Sequence, residues 1–260
     1  MQTALDVVYQ DRGTLLVFKR SRLGLLTLLV AACTAPGPRQ VTPQIPGPPP
    51  ATNVPAAGRV YRIDESRSEL RILVYRAGPL AHLGHNHVMV NRSIRGVINL
   101  AQTAGESAFS LEVPVAGFVV DDARARLEEG PDFAAEVADD AKSATLHNML
   151  STAVLAAAEF PLITIKSARV AAGADTPSGA RQGAPFSGDL LLTIAVSVAG
   201  HESRIDVPIT LRSDSERLSA TGSLELRQTA LGLTPYSLML GALQVQDAMK
   251  IKFDIVAKPD

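Results

Sequence analysis

Period-two alternation of apolar and polar residues, returning in segment after segment, is the feature that most restricts what this chain can fold into. In "SELRILVYR", Leu70, Ile72 and Val74 share one parity against Glu69, Arg71 and Tyr75. "FSLEVPV" repeats the pattern with Phe109, Leu111, Val113 and Val115. It returns as Leu190, Leu192, Ile194 and Val196, then as Ile205, Val207, Ile209 and Leu211, and near the C-terminus as Met249, Ile251, Phe253 and Ile255. Successive side chains of a strand point to opposite faces, so each segment reads as a half-buried strand. Gly58, "AGES", "GADTPSGARQGAP", "AGHES", "RSDSER" and "LGLTP" separate them as turn signals. Such short links favour hairpins and an antiparallel sheet over βαβ units. About eight or more strands in a single domain predict a barrel or sandwich.

One region departs from this rhythm. Residues 121–159 are rich in Ala, Leu, Glu and Asp, with Val137, Ala141, Ala144, Leu146 and Leu150 at approximate helical spacing. They read as one or two helices, with Ser151 placed to cap a second helix beginning at Thr152 and Phe160-Pro161 stopping it. An insertion of this kind between two strands of a barrel is expected to plug or cover one mouth.

The N-terminal segment reads differently again. Lys19, Arg20 and Arg22 precede an apolar run over 23–32, which closes with Val30-Ala31-Ala32-Cys33. The run has roughly half of the ~20 apolar residues that a membrane span needs. The order basic, apolar, small-small-Cys resembles a bacterial lipoprotein signal with its lipobox. In that reading residues 1–32 are a signal peptide and Cys33, the chain's single cysteine, carries the lipid. An ordinary secretory signal and a cytosolic start are the alternatives, and initiation at Val17 would shorten a long leader. Residues 33–58 are rich in Pro, Ala and Gly without hydrophobic period, the composition of an extended tether. The folded domain is then 59–260.

Charge and motifs narrow the chemistry. Lys+Arg 25 nearly balances Asp+Glu 26 and aromatics are only 4% with no Trp, which argues against a nucleic-acid partner. A single cysteine excludes an internal disulfide and a multi-cysteine metal cluster. No G-x-S-x-G, H-E-x-x-H, G-x-x-x-x-G-K-[ST] or G-x-G-x-x-G occurs, and His201-Glu202-Ser203 matches a triad only in residue type, so no enzyme activity and no cofactor are expected.

"LAHLGHNHVMV" gathers three of the five histidines, His82, His85 and His87. Alternation through "HVMVNRSIRGVINL" puts Val88, Val90, Ile94, Ile98 and Leu100 on one face, leaving His87 on the other, away from the apolar side. Tetrahedral zinc needs three or four converging ligands. This stretch offers two at most, with His147 and His201 as distant contributors, so a hydrogen-bonded rim is expected rather than a metal site. A histidine-based metal or haem protein is the alternative function.

The pieces "YRIDESRSELRILV", "IRGVINL", "EFPLITIKSARV", "FSGDLLLTIAV" and "RQTALGLTPYSLMLGALQVQDAMKIKFDIVA", in this order, resemble the YceI-like family of bacterial periplasmic proteins. The resemblance covers about residues 60–258 and implies a lipocalin-like antiparallel β-barrel, here with a helical insertion. It also implies an isoprenoid lipid as partner, held in an apolar pore. His82-Leu83-Gly84 matches a short stretch seen in many relatives, but "HNH" continues it and 121–141 is longer and more acidic. Strand parity, not the resemblance, nominates the ligand-lining residues: Leu70, Ile72, Val74, Phe109, Leu111, Leu192, Ile194 and Val207. With Cys33 acylated and Thr34 after it, the expected location is the periplasm, anchored by lipid to the outer membrane.

Overall fold

The computed structural model describes residues 58–101, 103–172 and 186–260. The expected leader, Cys33, the tether apart from Gly58, and the turn signal at 173–185 lie outside the described residues.

Among the described residues, twelve strands follow the chain as β1 (Gly58–Ile63), β2 (Glu69–Ala77), β3 (His87–Asn91), β4 (Arg95–Ala101), β5 (Ala108–Pro114), β6 (Phe118–Val120), β7 (Leu162–Ala172), β8 (Phe186–Val198), β9 (His201–Ser213), β10 (Leu218–Arg227), β11 (Ser237–Leu238) and β12 (Leu243–Pro259). All pairings are antiparallel, and β1 bonds both β4 and β12, closing the order β1-β4-β5-β7-β8-β9-β10-β12 on itself. The result is a closed antiparallel barrel of eight strands, one of the two architectures that the alternation allows and the one that the resemblance implies. Closure removes the unpaired edges that an open sheet would present.

Three of the eight staves are bent, with β2, β3 and β6 continuing β1, β4 and β5 beyond each bend. Asn91, fully buried, ties two bends together: its Nδ2 donates to the Pro114 carbonyl at 2.8 Å and its Oδ1 accepts from the Ser93 N–H at 2.9 Å. The β8–β9 hairpin is tight. Ala199 and Gly200 both take positive φ, 47° and 79°, the pairing that a two-residue turn of type I′ requires.

The bend between β3 and β4 corrects the parity expected for the histidine strand. Ile94, Ile98 and Leu100 do face the barrel interior, but Val88 and Val90 face outward and His87 and Met89 face inward. The irregular residues between the two strands shift the alternation by one, which a single period drawn through both cannot show. The same happens in β7, where a register irregularity between Ser167 and Arg169 brings Ile163, Ile165 and Val170 to one side.

The insertion between β6 and β7 holds α1 (Ala123–Glu128) and α2 (Asp139–Leu150). Asp122 caps α1 by accepting from the Ala125 N–H at 3.0 Å, and Asp139 and Asp140 lie in the first turn of α2, where the helix dipole favours negative charge. Ser151 does not start a second helix. It closes α2, its N–H and its hydroxyl both donating to the Asn148 carbonyl, and 152–159 are turns and irregular chain. A terminal serine satisfies freed carbonyls as well as freed N–H groups, so its presence alone does not tell start from end.

Two apolar clusters result. The larger lies inside the barrel and includes Tyr61, Ile94, Val113, Val207 and Leu218. The smaller lies outside it, with Leu73, Val88 and Val90 covered by Ala125 and Phe133.

Candidate functional site

The inner face does not fill the barrel. A cavity of about 780 Å³ runs through it. That is within the roughly 300–1,000 Å³ of pockets that enclose a small molecule, and an eight-stranded barrel is near the width at which the interior is either filled by side chains or holds one ligand. Strands β8 and β9, thirteen residues each, make the wall long, since a strand rises ~3.3 Å per residue.

The wall is built in cross-strand ladders. Ile251, Ile72 and Met89 pair in one row across β12, β2 and β3, and Met249, Val74 and His87 in the next. On the opposite side Leu192 pairs with Val207, and Ile194 with Ile205. Phe109 pairs with Ile98, and Leu111 with Ile165. All eight residues nominated from parity, Leu70, Ile72, Val74, Phe109, Leu111, Leu192, Ile194 and Val207, border this one cavity. Gly222 leaves room for the Phe253 ring, which a Cβ at that position would meet at 2.4 Å. The parity reading passed over Leu218, Ala220, Leu224 and Leu226, which also line the wall, although "LSATGSLELR" carries the same period-two signal.

One end of the cavity is polar. Thr145, Asn148 and Met149 of α2 share a helix face at i, i+3 and i+4 and border the space beside His85 and His87. His87 is fixed by a partner 34 positions away: its Nδ1 lies 2.6 Å from Oδ2 of Asp121, whose side chain is fully buried. Asp121 adopts φ 57°, a left-handed conformation that Asp tolerates better than most residues. Its N–H donates to the Val88 carbonyl and its Oδ1 accepts from the Val88 N–H, so it pairs with β3 like one more strand residue. Arg126 donates to the same carboxylate and to the carbonyls of Asn86 and Ala135. Burial opposes charge on Asp121, but hydrogen bonds from His87, the Val88 N–H and Arg126 outweigh it and hold the carboxyl below its ordinary pKa. Nothing in "VVDDARARL" marks Asp121 as the histidine's partner, because the two meet only through the β3–β6 pairing.

The other histidines disperse. His85 also borders the cavity, its ring 6.1 Å from that of His87. His82 is exposed on a short turn of 3-10 helix, Ala81–Leu83, and His82, His147 and His201 are not among the cavity-lining residues. Among the described residues no group of three His, Cys, Asp or Glu side chains is placed to hold a metal ion. No helix among them is long and apolar enough to cross a membrane.

Comparison with known proteins places the architecture. No curated protein sequence matches the chain. Among solved structures, BcnA of Burkholderia cenocepacia aligns with TM-score 0.52 and 15% identity, covering 75% of this chain and 99% of BcnA. A polyisoprenoid binding domain from Saccharophagus degradans, implicated in plant cell wall breakdown, aligns with TM-score 0.50 and 12% identity, covering 77% of this chain and 98% of that domain. At such identities these likenesses establish a shared fold. The sequence model of the YceI-like domain matches residues 61–257, nearly the whole described barrel, and on that match the chain belongs to the YceI-like family.

Proposed function

We propose that this protein binds an isoprenoid chain in the pore of its barrel and serves the cell envelope as a carrier, store or sensor of that lipid rather than as an enzyme. The observation that carries the reading is the continuous cavity of about 780 Å³ walled by aliphatic side chains. Its long strands and apolar lining suit an extended apolar guest better than a compact polar one. Family membership supports it, as does the fold shared with a domain described as polyisoprenoid binding. Burial of a CH₂ group contributes roughly 0.8 kcal/mol, so each five-carbon unit could add on the order of 3 kcal/mol before ordering costs are subtracted. Cys33, in its lipobox-like context, would tether the domain to the outer membrane from the periplasmic side.

Lipid mass spectrometry on protein purified without detergent exchange, followed by titration with prenyl chains of graded length, tests the reading. A co-purified isoprenoid and an affinity that rises with length until the pore is full are expected. Ile194→Asp, which puts a charge on the apolar wall, should abolish retention. No co-purified isoprenoid, with affinity independent of length, would reject the carrier. For the anchor, Cys33→Ser should lose the acyl mass and leave the membrane fraction; an unmodified mature Cys33 in the wild type would remove that part of the proposal.

A further inference from the structure

The apolar pore carries a polar spot on its wall where His87 and Thr145 meet. Asp121 is ionised against Arg126, and a carboxylate can only accept, so the ring nitrogen of His87 that faces Oδ2 at 2.6 Å, Nδ1, carries a proton. In the neutral form of such a ring, Nε2 keeps a lone pair. Thr145 Oγ1 lies 3.4 Å from it, but this hydroxyl donates its single proton to the Ala141 carbonyl at 2.8 Å. With the neutral ring, two acceptors then face each other beside the cavity, and both of their residues, partly buried, border it. A pair of this kind gains from a donor that reaches it.

We propose that a neutral His87 accepts, at Nε2, a hydrogen bond from a hydroxyl at the head of the bound chain, so that the pore selects prenyl alcohols over ether- or ketone-headed chains of equal length. This rests on the isoprenoid reading of the pore and adds its headgroup chemistry. A phosphate head suits the spot poorly, because it presents acceptor oxygens and the nearby cations are engaged. Arg126 is spent on Asp121 and two backbone carbonyls, and Arg76 donates to the Gly84 carbonyl at 2.6 Å. Thr145 is held by its own helix and defines the side from which the hydroxyl approaches. Asp121 is a positioning residue, because it acts only through the ring that it orients.

The experiment compares a prenol with its methyl ether, at one chain length, on the wild-type protein and on His87→Phe. In the wild type the alcohol should bind about tenfold more tightly, the value of one well-made neutral hydrogen bond. In His87→Phe the two ligands should bind within about twofold of each other, the alcohol having lost its advantage. A residue-specific readout needs no variant: in ¹⁵N-histidine-labelled wild type, the alcohol should shift the His87 Nε2 resonance and the ether should not. Alcohol and ether binding equally to the wild type, an alcohol preference that survives His87→Phe, or an unmoved Nε2 resonance under saturating alcohol would overturn the headgroup assignment while leaving the pore reading intact. Failure of both ligands to bind would overturn the two together.

Discussion

On the outer face of β2 and β3, Leu73, Val88 and Val90 are 2%, 0% and 0% exposed beneath Ala125 and Phe133. On the inner face of the same two strands, Ile72, Val74 and Met89 border an open space. The side chains are alike in chemistry and differ in what opposes them. Outside, the insertion after β6 supplies a cover, and Tyr75 packs on Phe133 with ring centroids 5.6 Å apart. Inside, the opposing wall is the far side of a barrel. On these two strands the outer face is closed by packing, and the inner face keeps part of its surface open to the cavity.

The sharpest way to break this contrast is to truncate both faces. Phe133→Ala should cost about 3–5 kcal/mol in denaturant unfolding, since it empties a closed cluster. Ile72→Ala should cost less than about 2 kcal/mol, because the removed atoms already bordered a void, yet it should weaken lipid retention. Equal losses at the two positions would mean that the inner face is packed as tightly as the outer.

Asp121 joins the two faces, bonding inward to His87 and outward to Arg126. Asp121→Ala should destabilise by about 3–5 kcal/mol, because it leaves the buried Arg126 guanidinium without its counter-charge. His87→Phe should cost clearly less, since Asp121 keeps Arg126 and the Val88 N–H. A larger loss from the histidine would place the structural weight on the pore side instead.

Acid should act on the outer face. Hydrogen bonds from Arg124 and then Arg71 hold the Glu128 carboxyl down at about 2, against an ordinary value of 4.5. A carboxyl depressed by folding contributes stability above its unfolded pKa and loses it as pH falls through the folded one. The melting temperature should hold steady from pH 7 to about 5 and decline from about 4.5 toward 2. Replacing Arg71, which also pairs with Glu69 and Glu129, by Gln should make that decline shallower. A decline no shallower in the variant would remove this network from the acid response.

The smallest effect concerns His82. It is exposed and borders neither cluster, so His82→Gln should stay within about 0.5 kcal/mol of wild type and leave ligand affinity unchanged. A loss comparable to that of His87→Phe would show that the histidine stretch acts as a unit.

Much of the barrel was legible because strand alternation is a local signal: Leu190 to Val196, Ile205 to Leu211 and Met249 to Ile255 state their inward face in their own spacing. In the histidine strand that local signal fails. Residues 92–94 reset the alternation, so Val90 and Ile94 share a parity and occupy opposite sides of the wall. Period two also reports only that a face is apolar, and it gave Val88 and Ile72 the same description. Ser151 was misplaced because a hydroxyl serves either end of a helix.

What the sequence by itself determined is the alternation of the long strands, the turns between them and the antiparallel arrangement that short turns impose, since each depends on residues near one another in the chain. Tertiary structure alone decided which apolar face would be covered and which left open, and that a carboxylate in the turn after β6 would orient a histidine 34 residues earlier. Both depend on contacts between distant segments, where the geometry of the closed barrel, and not any local spacing, sets what each side chain meets.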